Sequence, residues 1–163
     1  MAGKKEKAKN ANAVSKAKAV SKEELIKGLN EDLSREYQAI IAYVVYSQTL
    51  KGAEYMNIAA ELEVHAGEEL QHAIKLADQI DYLGGKPVVT PKTVKTSDKA
   101  KDMLRFDLDN ESETIHNYRI RVKQAEALNY FALAETLRGI LVDEQDHHNA
   151  LATALGIDPP EIN

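Results

Sequence analysis

Cysteine and tryptophan are absent from this 163-residue chain, proline occurs four times, glycine eight times, and aromatic residues make up 6%. Without cysteine there is no disulfide framework, no thiolate zinc site, no iron–sulfur cluster and no thiol nucleophile. No run of about 18 apolar residues occurs, so no stretch reads as a membrane-spanning helix. The lysine-rich beginning has no apolar segment of the kind that marks a secretory signal. The expectation is a soluble, cytoplasmic protein with one folded domain.

Charge is unevenly spread. Seven lysines against Glu6 give residues 1–22 a net +6, which leaves −11 on the rest of a chain whose overall charge is −5. Up to Val20 the composition is mostly Ala, Lys, Asn and Ser, too little apolar surface to offset the entropy of ordering. Residues 1–20 are therefore expected to be a disordered basic arm, residues 21–156 the folded body and residues 157–163 a short tail. The arm suits either non-specific contact with nucleic-acid phosphates or simple solvation of a frayed terminus.

Four long helices are expected in the body. Ser21-Lys22-Glu23-Glu24 reads as a capping box opening helix 1, which Gly52 ends. Helix 2 runs from about Ala53 to Leu83 and stops at Gly84-Gly85-Lys86-Pro87. Residues 84–96 carry two prolines and no helical period, so they form a long connection, with only Val88-Val89-Thr90 weakly strand-like. Thr96 or Ser97 caps helix 3, which runs to about Leu128. Asn129 caps helix 4, and Gly156 ends it. Short, long and short connections between four such helices describe an all-α four-helix bundle with one crossover between helices 2 and 3.

The apolar stripes carry acids. In helix 1 a three-four walk gives Leu29, Leu33, Glu36, Ile40, Tyr43, Ser47 and Leu50. Helix 3 repeats it 75 positions on, as Leu104, Leu108, Glu111, Ile115, Tyr118, Val122 and Ala125. Helix 2 gives Tyr55, Ile58, Leu62, His65, Glu69, His72 and Leu76. Helix 4, again 75 on, gives Tyr130, Leu133, Leu137, Ile140, Glu144, His147 and Leu151. Every ionisable group on the helix 2 stripe recurs except His65.

Buried carboxylates left without partners are costly, so the pattern needs a chemical reason. Sixteen Glu and five His in 163 residues give about 0.5 E-x-x-H pairs by chance; three occur. Residues three apart share a helix face, so Glu69/His72 and Glu144/His147 each point two ligands inward, while Glu36 and Glu111 add a carboxylate from each other helix. Four Glu and two His suit two divalent cations such as iron or manganese. The third pair, Glu113/His116, lies about 200° around helix 3 from Glu111 and reads as a surface pair. His148 lacks a repeat partner. His65 reads as a core histidine, or one supporting a ligand, rather than an extra ligand.

These residues carry a resemblance to the ferritin-like proteins, and among them to the bacterioferritins, over residues from about 22 to 156. It rests on Ser34-Arg35-Glu36-Tyr37, Glu69-Leu70-Gln71-His72, the run Leu104 to Glu111, and Glu144-Gln145-Asp146-His147. The resemblance implies a di-iron ferroxidase centre within the subunit. Glu36 and His72 would be terminal ligands of one iron, Glu111 and His147 of the other, with Glu69 and Glu144 bridging. It implies Fe(II) as substrate, O2 or hydrogen peroxide as oxidant, and Tyr43 as an electron donor beside the centre. Bacterioferritins ligate haem through a Met after the helix 2 Glu; Leu70 stands there, which counts against haem.

The family also forms cages. The short end after Gly156 leaves 12 or 24 subunits open. Ile40-Ile41-Ala42-Tyr43-Val44-Val45-Tyr46 is apolar all round, and Ile41 and Val45 point away from Glu36, so two-fold dimers through helices 1 and 2 are expected. Two rival functions are a di-metal peroxidase of rubrerythrin or manganese-catalase type, and a DNA-protecting mini-ferritin acting through the lysine-rich arm.

Overall fold

The computed structural model describes residues 20–163. Apart from Val20, the expected basic arm lies outside the described residues. Four α-helices make up the body: α1 (Lys22–Thr49), α2 (Met56–Tyr82), α3 (Ala100–Ala127) and α4 (Phe131–Leu155), with a 3₁₀ turn at Ala53–Tyr55 leading into α2. At 1.5 Å per residue each is about 40 Å long. Antiparallel hairpins α1–α2 and α3–α4 pack most extensively within themselves, and α1 against α3 and α2 against α4 close the bundle. No helix is long and apolar enough to cross a membrane among the described residues.

The ends of the helices show how the sequence sets the lengths. At the start of α1 the Ser21 hydroxyl accepts from the Glu24 amide at 3.1 Å, and the Ser21 amide donates to Glu24 Oε2 at 3.1 Å. Closure of α2 puts Gly84 at φ 79°, with Gly85 N–H donating to Ile80 O and Gly84 N–H to Asp81 O. Asn129 does for α3 what Gly84 does for α2. It sits at φ 62°, its amide donates to Glu126 O, and the Tyr130 amide donates to Ala125 O. Asparagine tolerates the left-handed region, so this residue ends α3 instead of capping α4, whose N-cap is Tyr130.

The start of α3 is a second correction. Neither Thr96 nor Ser97 is the N-cap; Lys99 is, with no side-chain hydrogen bond of its own. Ser97 acts from outside the helix, accepting from the Lys99 amide at 3.1 Å and donating to Asp102 at 2.9 Å. The shift follows from the crossover being held extended along α1. Asn30 Oδ1 accepts from the Val88 amide, Ser34 Oγ donates to Thr90 O, Gln38 Nε2 donates to Thr93 O, and the Tyr46 hydroxyl donates to Lys95 O. These α1 residues fall on one helical row, so the connection is strapped down residue by residue. The weak strand at Val88–Thr90 does not form.

All 28 walk positions face inward. Only Ile40, Leu50, Tyr55 and Tyr130 are half-buried, and the others are buried. The apolar core they build is divided. One cluster gathers Leu25, Leu29, Leu33, Leu76, Ile80, Val122, Leu133 and Leu137; the other gathers Tyr46, Ile58, Leu62, Leu104, Leu108 and Leu151. Between them, at mid-height, lies a polar waist.

Candidate metal centre

Glu36, Glu69, His72, Glu111, Glu144 and His147 all reach the waist, and each is at most 3% exposed. Glu36, Glu69, His72 and Glu144 form one quartet whose candidate ligand atoms lie within 4.8 Å of one another. Glu69, Glu111, Glu144 and His147 form a second, sharing Glu69 and Glu144 with the first. His72 Nδ1 stands 3.0 Å from Glu69 Oε2, 3.2 Å from Glu144 Oε1 and 3.6 Å from Glu36 Oε2. His147 Nδ1 stands 2.9 Å from Glu69 Oε1 and 3.5 Å from Glu144 Oε2.

Charge is crowded here without enough donors to answer it. Among the described residues, Glu36 Oε2, Glu69 Oε1, Glu111 Oε2, both Glu144 oxygens and His147 Nδ1 are buried with no hydrogen-bond partner. Burial pushes the Glu36 carboxyl well above its ordinary range, reinforced by Glu69 and Glu144. Burial does the same to Glu111, reinforced by Glu144 and Glu69. For Glu69, burial is outweighed by the imidazoles of His147 and His72 beside it, which hold it below the usual range. Burial lowers His147, but Glu144 and Glu69 overcome it and push the imidazole up to about 12. Six orphaned ligand atoms in one waist, of oxygen and imidazole type, fit two divalent cations.

The repeat extends to groups that the stripe pattern did not single out. Asp143 Oδ2 accepts from His72 Nε2 at 3.0 Å, and Glu68 Oε2 accepts from His147 Nε2 at 2.8 Å. Glu68 and Asp143 are 75 apart, each directly before a waist glutamate, and each reaches across to the histidine of the other helix. The result fixes both rings with Nδ1 turned toward the waist. Tyr43 donates its hydroxyl hydrogen to Glu111, and Tyr118, again 75 on, donates to Glu36. Burial pushes both phenols well above their ordinary range, Tyr43 further through Glu111 and Tyr118 through Glu36. Asp32 and Asp107 are a third such pair, both buried; Asp32 Oδ2 accepts from Arg121 at 2.9 Å, while Asp107 Oδ2 has no partner among the described residues.

The remaining histidines lie elsewhere. Glu113 pairs with Arg35 at 2.6 Å, and His116 meets the terminal Asn163 oxygen at 2.5 Å, so these surface residues bind other partners than each other. His148 Nε2 is hydrogen-bonded with the Ser112 hydroxyl at 3.0 Å and belongs to neither quartet. His65 is a core histidine as expected, stacked on the waist imidazole of His147 with ring centroids 4.0 Å apart, but its Nδ1 is not hydrogen-bonded among the described residues.

Known proteins share this fold. Residues 26–158 match the family described as the ferritin-like domain. A ferritin-like, diiron-carboxylate protein from Bacillus anthracis is 37% identical with a TM-score of 0.79, over 82% of this chain and 96% of that one. A dodecameric thioferritin from Bacteroides fragilis is 28% identical with a TM-score of 0.77, over 85% and 88%. The bacterioferritin of Desulfovibrio desulfuricans is 28% identical over 77% of this chain and 71% of its own.

Proposed function

The chain belongs to the ferritin-like domain family, and from that membership we propose that it is a ferroxidase that oxidises and stores iron. The observation that carries the reading is the pair of quartets sharing Glu69 and Glu144, with six buried ligand atoms that have no hydrogen-bond partner among the described residues. Glu36 and His72 would hold one ferrous ion and Glu111 and His147 the second, with Glu69 and Glu144 common to both quartets. Each Fe(II) gives up one electron. O2 takes the two electrons with two protons and leaves as hydrogen peroxide, or hydrogen peroxide takes the same and leaves as two waters.

The protein's part is placement and charge. Glu68 and Asp143 hold the imidazoles with Nδ1 inward, Tyr43 and Tyr118 hold Glu111 and Glu36, and the two apolar clusters keep bulk water from the waist. In this reading Tyr43, bonded to Glu111, supplies an electron. The acidic body draws cations toward the subunit.

Assembly follows the same family. Ile41, Val44 and Val45 on α1 and Leu70 and Ile74 on α2 are large apolar side chains left exposed by the monomer. They suit a two-fold dimer as the unit of a larger homo-oligomer, as the thioferritin relative is dodecameric. Anaerobic Fe(II) titration followed by oxidant tests the function. Saturation near two irons per chain is expected, with fast oxidation lost in Glu69→Ala and Glu144→Ala; absence of tight binding overturns it.

A further inference from the structure

Two buried acids occupy mirrored places in the halves of the chain, and only one of them has a cation beside it. Asp32 and Asp107 stand one turn before Glu36 and Glu111, and each is 2% exposed. Arg121 on α3 donates to Asp32 Oδ2 at 2.9 Å. The residue 75 positions before Arg121 is Tyr46. Its phenol stands beside Asp107 without a charge to offer, and its hydroxyl donates to Lys95 O instead. The Lys95 ammonium lies over the Phe106 ring, 5.3 Å from the centroid. Asp107 is left with no ion pair, and its Oδ2 with no hydrogen-bond partner, among the described residues. A carboxyl in such a place takes its neutral form, because an unpaired buried charge is costly. Burial pushes Asp107 well above its ordinary range, and Glu69 on α2 reinforces the effect. Tyr43 and Tyr46 face it from α1, and Glu111 follows it on α3. On the α4 side, His147 stands 4.0 Å from Glu111, and His148 is held by Ser112.

We propose that Asp107 is the acid that delivers a proton to the waist when oxygen is reduced there, a role that Arg121 denies to Asp32. It rests on the ferroxidase reading, which supplies the acceptor. Reduction of O2 to hydrogen peroxide takes one electron from each of two Fe(II) and also takes two protons. For one of those protons, the O–H bond of the Asp107 carboxyl breaks and an O–H bond forms on the reduced oxygen. Asp107 is left as a carboxylate until water returns its proton. The waist glutamates cannot serve, because a carboxylate that holds a cation has already lost its proton. Asp32 cannot serve well either: with Arg121 beside it the carboxyl rises only to about 6, so near neutral pH it is mostly ionised. The reach from Asp107 to Glu111 is one helical turn, about 5–6 Å between side-chain roots, which one water or the Tyr43 hydroxyl spans. Tyr43 is bonded to Glu111 and feels the charge of Asp107, so it belongs to both groups. Protons therefore enter the waist from the α3 side alone, although the ligands themselves are symmetric.

The test uses the assembled full-length protein. Zn(II) is redox-inert, and filling the waist with it ionises the ligand carboxyls. In the zinc-loaded parent at about pH 8, where Asp32 has also lost its proton, the infrared spectrum should keep one neutral-carboxyl C=O stretch. Asp107→Asn should remove that band and still take up as much zinc as the parent in calorimetry. The same variant should oxidise Fe(II) about a hundredfold more slowly in single-turnover stopped flow, the size of a lost general acid. The parent's rate should fall as pH rises through the value at which the band disappears, and the variant's rate should not follow it. A residue that only supported the fold would leave that profile in place. Asp32→Asn should keep both the band and the profile. Absence of the band from the parent, which needs no variant to observe, overturns the proposal. So does a parent-like rate or pH profile in Asp107→Asn, or the same slowing in Asp32→Asn. A parent that takes up no zinc or leaves Fe(II) unoxidised overturns the ferroxidase reading instead, so the two failures are separately visible.

Discussion

Tyr43 on α1 donates its hydroxyl hydrogen to Glu111 on α3, and through that bond a phenol ring stands directly beside the waist. Its edge also meets His65 at 5.5 Å and His147 at 6.1 Å between centroids. Tyr118 makes the mirrored bond to Glu36. Tyr43→Phe should keep two cations per chain and slow iron oxidation about tenfold, as loss of a ligand's outer partner does. Tyr118→Phe should slow it less. Stopped-flow absorbance of ferric formation decides, and equal rates for the two variants would remove any special role for Tyr43.

Glu111→Gln separates metal binding from folding. Burial and the neighbouring Glu144 push this carboxyl up, so the metal-free protein already favours its neutral form, and an amide of the same shape costs little. The metal-free variant should melt no lower than the parent, while one of its two cations is lost. Calorimetry of both proteins, with and without ferrous ion, reads the difference.

Glu68→Ala and Asp143→Ala each release one imidazole. Ring orientation then depends on the waist alone, and cation affinity should fall 10- to 100-fold at the matching site, roughly as for other outer partners of metal-bound histidine. Competitive titration against a chelator measures it. Unchanged affinity would mean that the waist by itself fixes the rings.

Asp32 gives a pH signature on stability. Burial, only partly opposed by Arg121, raises its pKa from 3.8 to about 6. The folded form thus binds its proton more tightly than the unfolded form, so this contribution is full below about pH 4 and is lost as pH rises through about 6. The loss amounts to about 3 kcal/mol at most, at 1.36 kcal/mol per unit. Asp32→Asn should therefore gain stability relative to the parent between pH 4 and pH 7. Denaturant melts of the metal-free proteins across that range test the slope.

Val45→Glu places a charge on the exposed apolar face of α1. Burying it between subunits would be costly, so the proposed homo-oligomer should break into smaller species while the helical content stays. Sedimentation velocity and circular dichroism together check this.

Much of the bundle was legible because the repeat states it twice. Leu-Leu-Glu-Ile-Tyr on α1 and α3 and the two E-x-x-H pairs gave the stripes, and the structure turns all of those positions inward. Glu68 and Asp143 escaped notice because each is a half-exposed acid beside a buried one, and sequence alone does not say that it reaches across to another helix. Comparison at the 75-residue offset would have exposed them. Asn129 misled for a different reason: asparagine both caps helix starts and tolerates the left-handed turn that ends them, and only the backbone chose. Ser97 was displaced because hydrogen bonds from α1 keep the approach to α3 extended.

The divided core has a mechanical meaning. Greasy contact lapses at mid-height in all four helices, and what stands in its place is a set of carboxylates and imidazoles drawn from every one of them. A bound pair of ions would act there as a rivet through the middle of the bundle, so that cargo and stiffness would rise together and a starved subunit would also be a softer one.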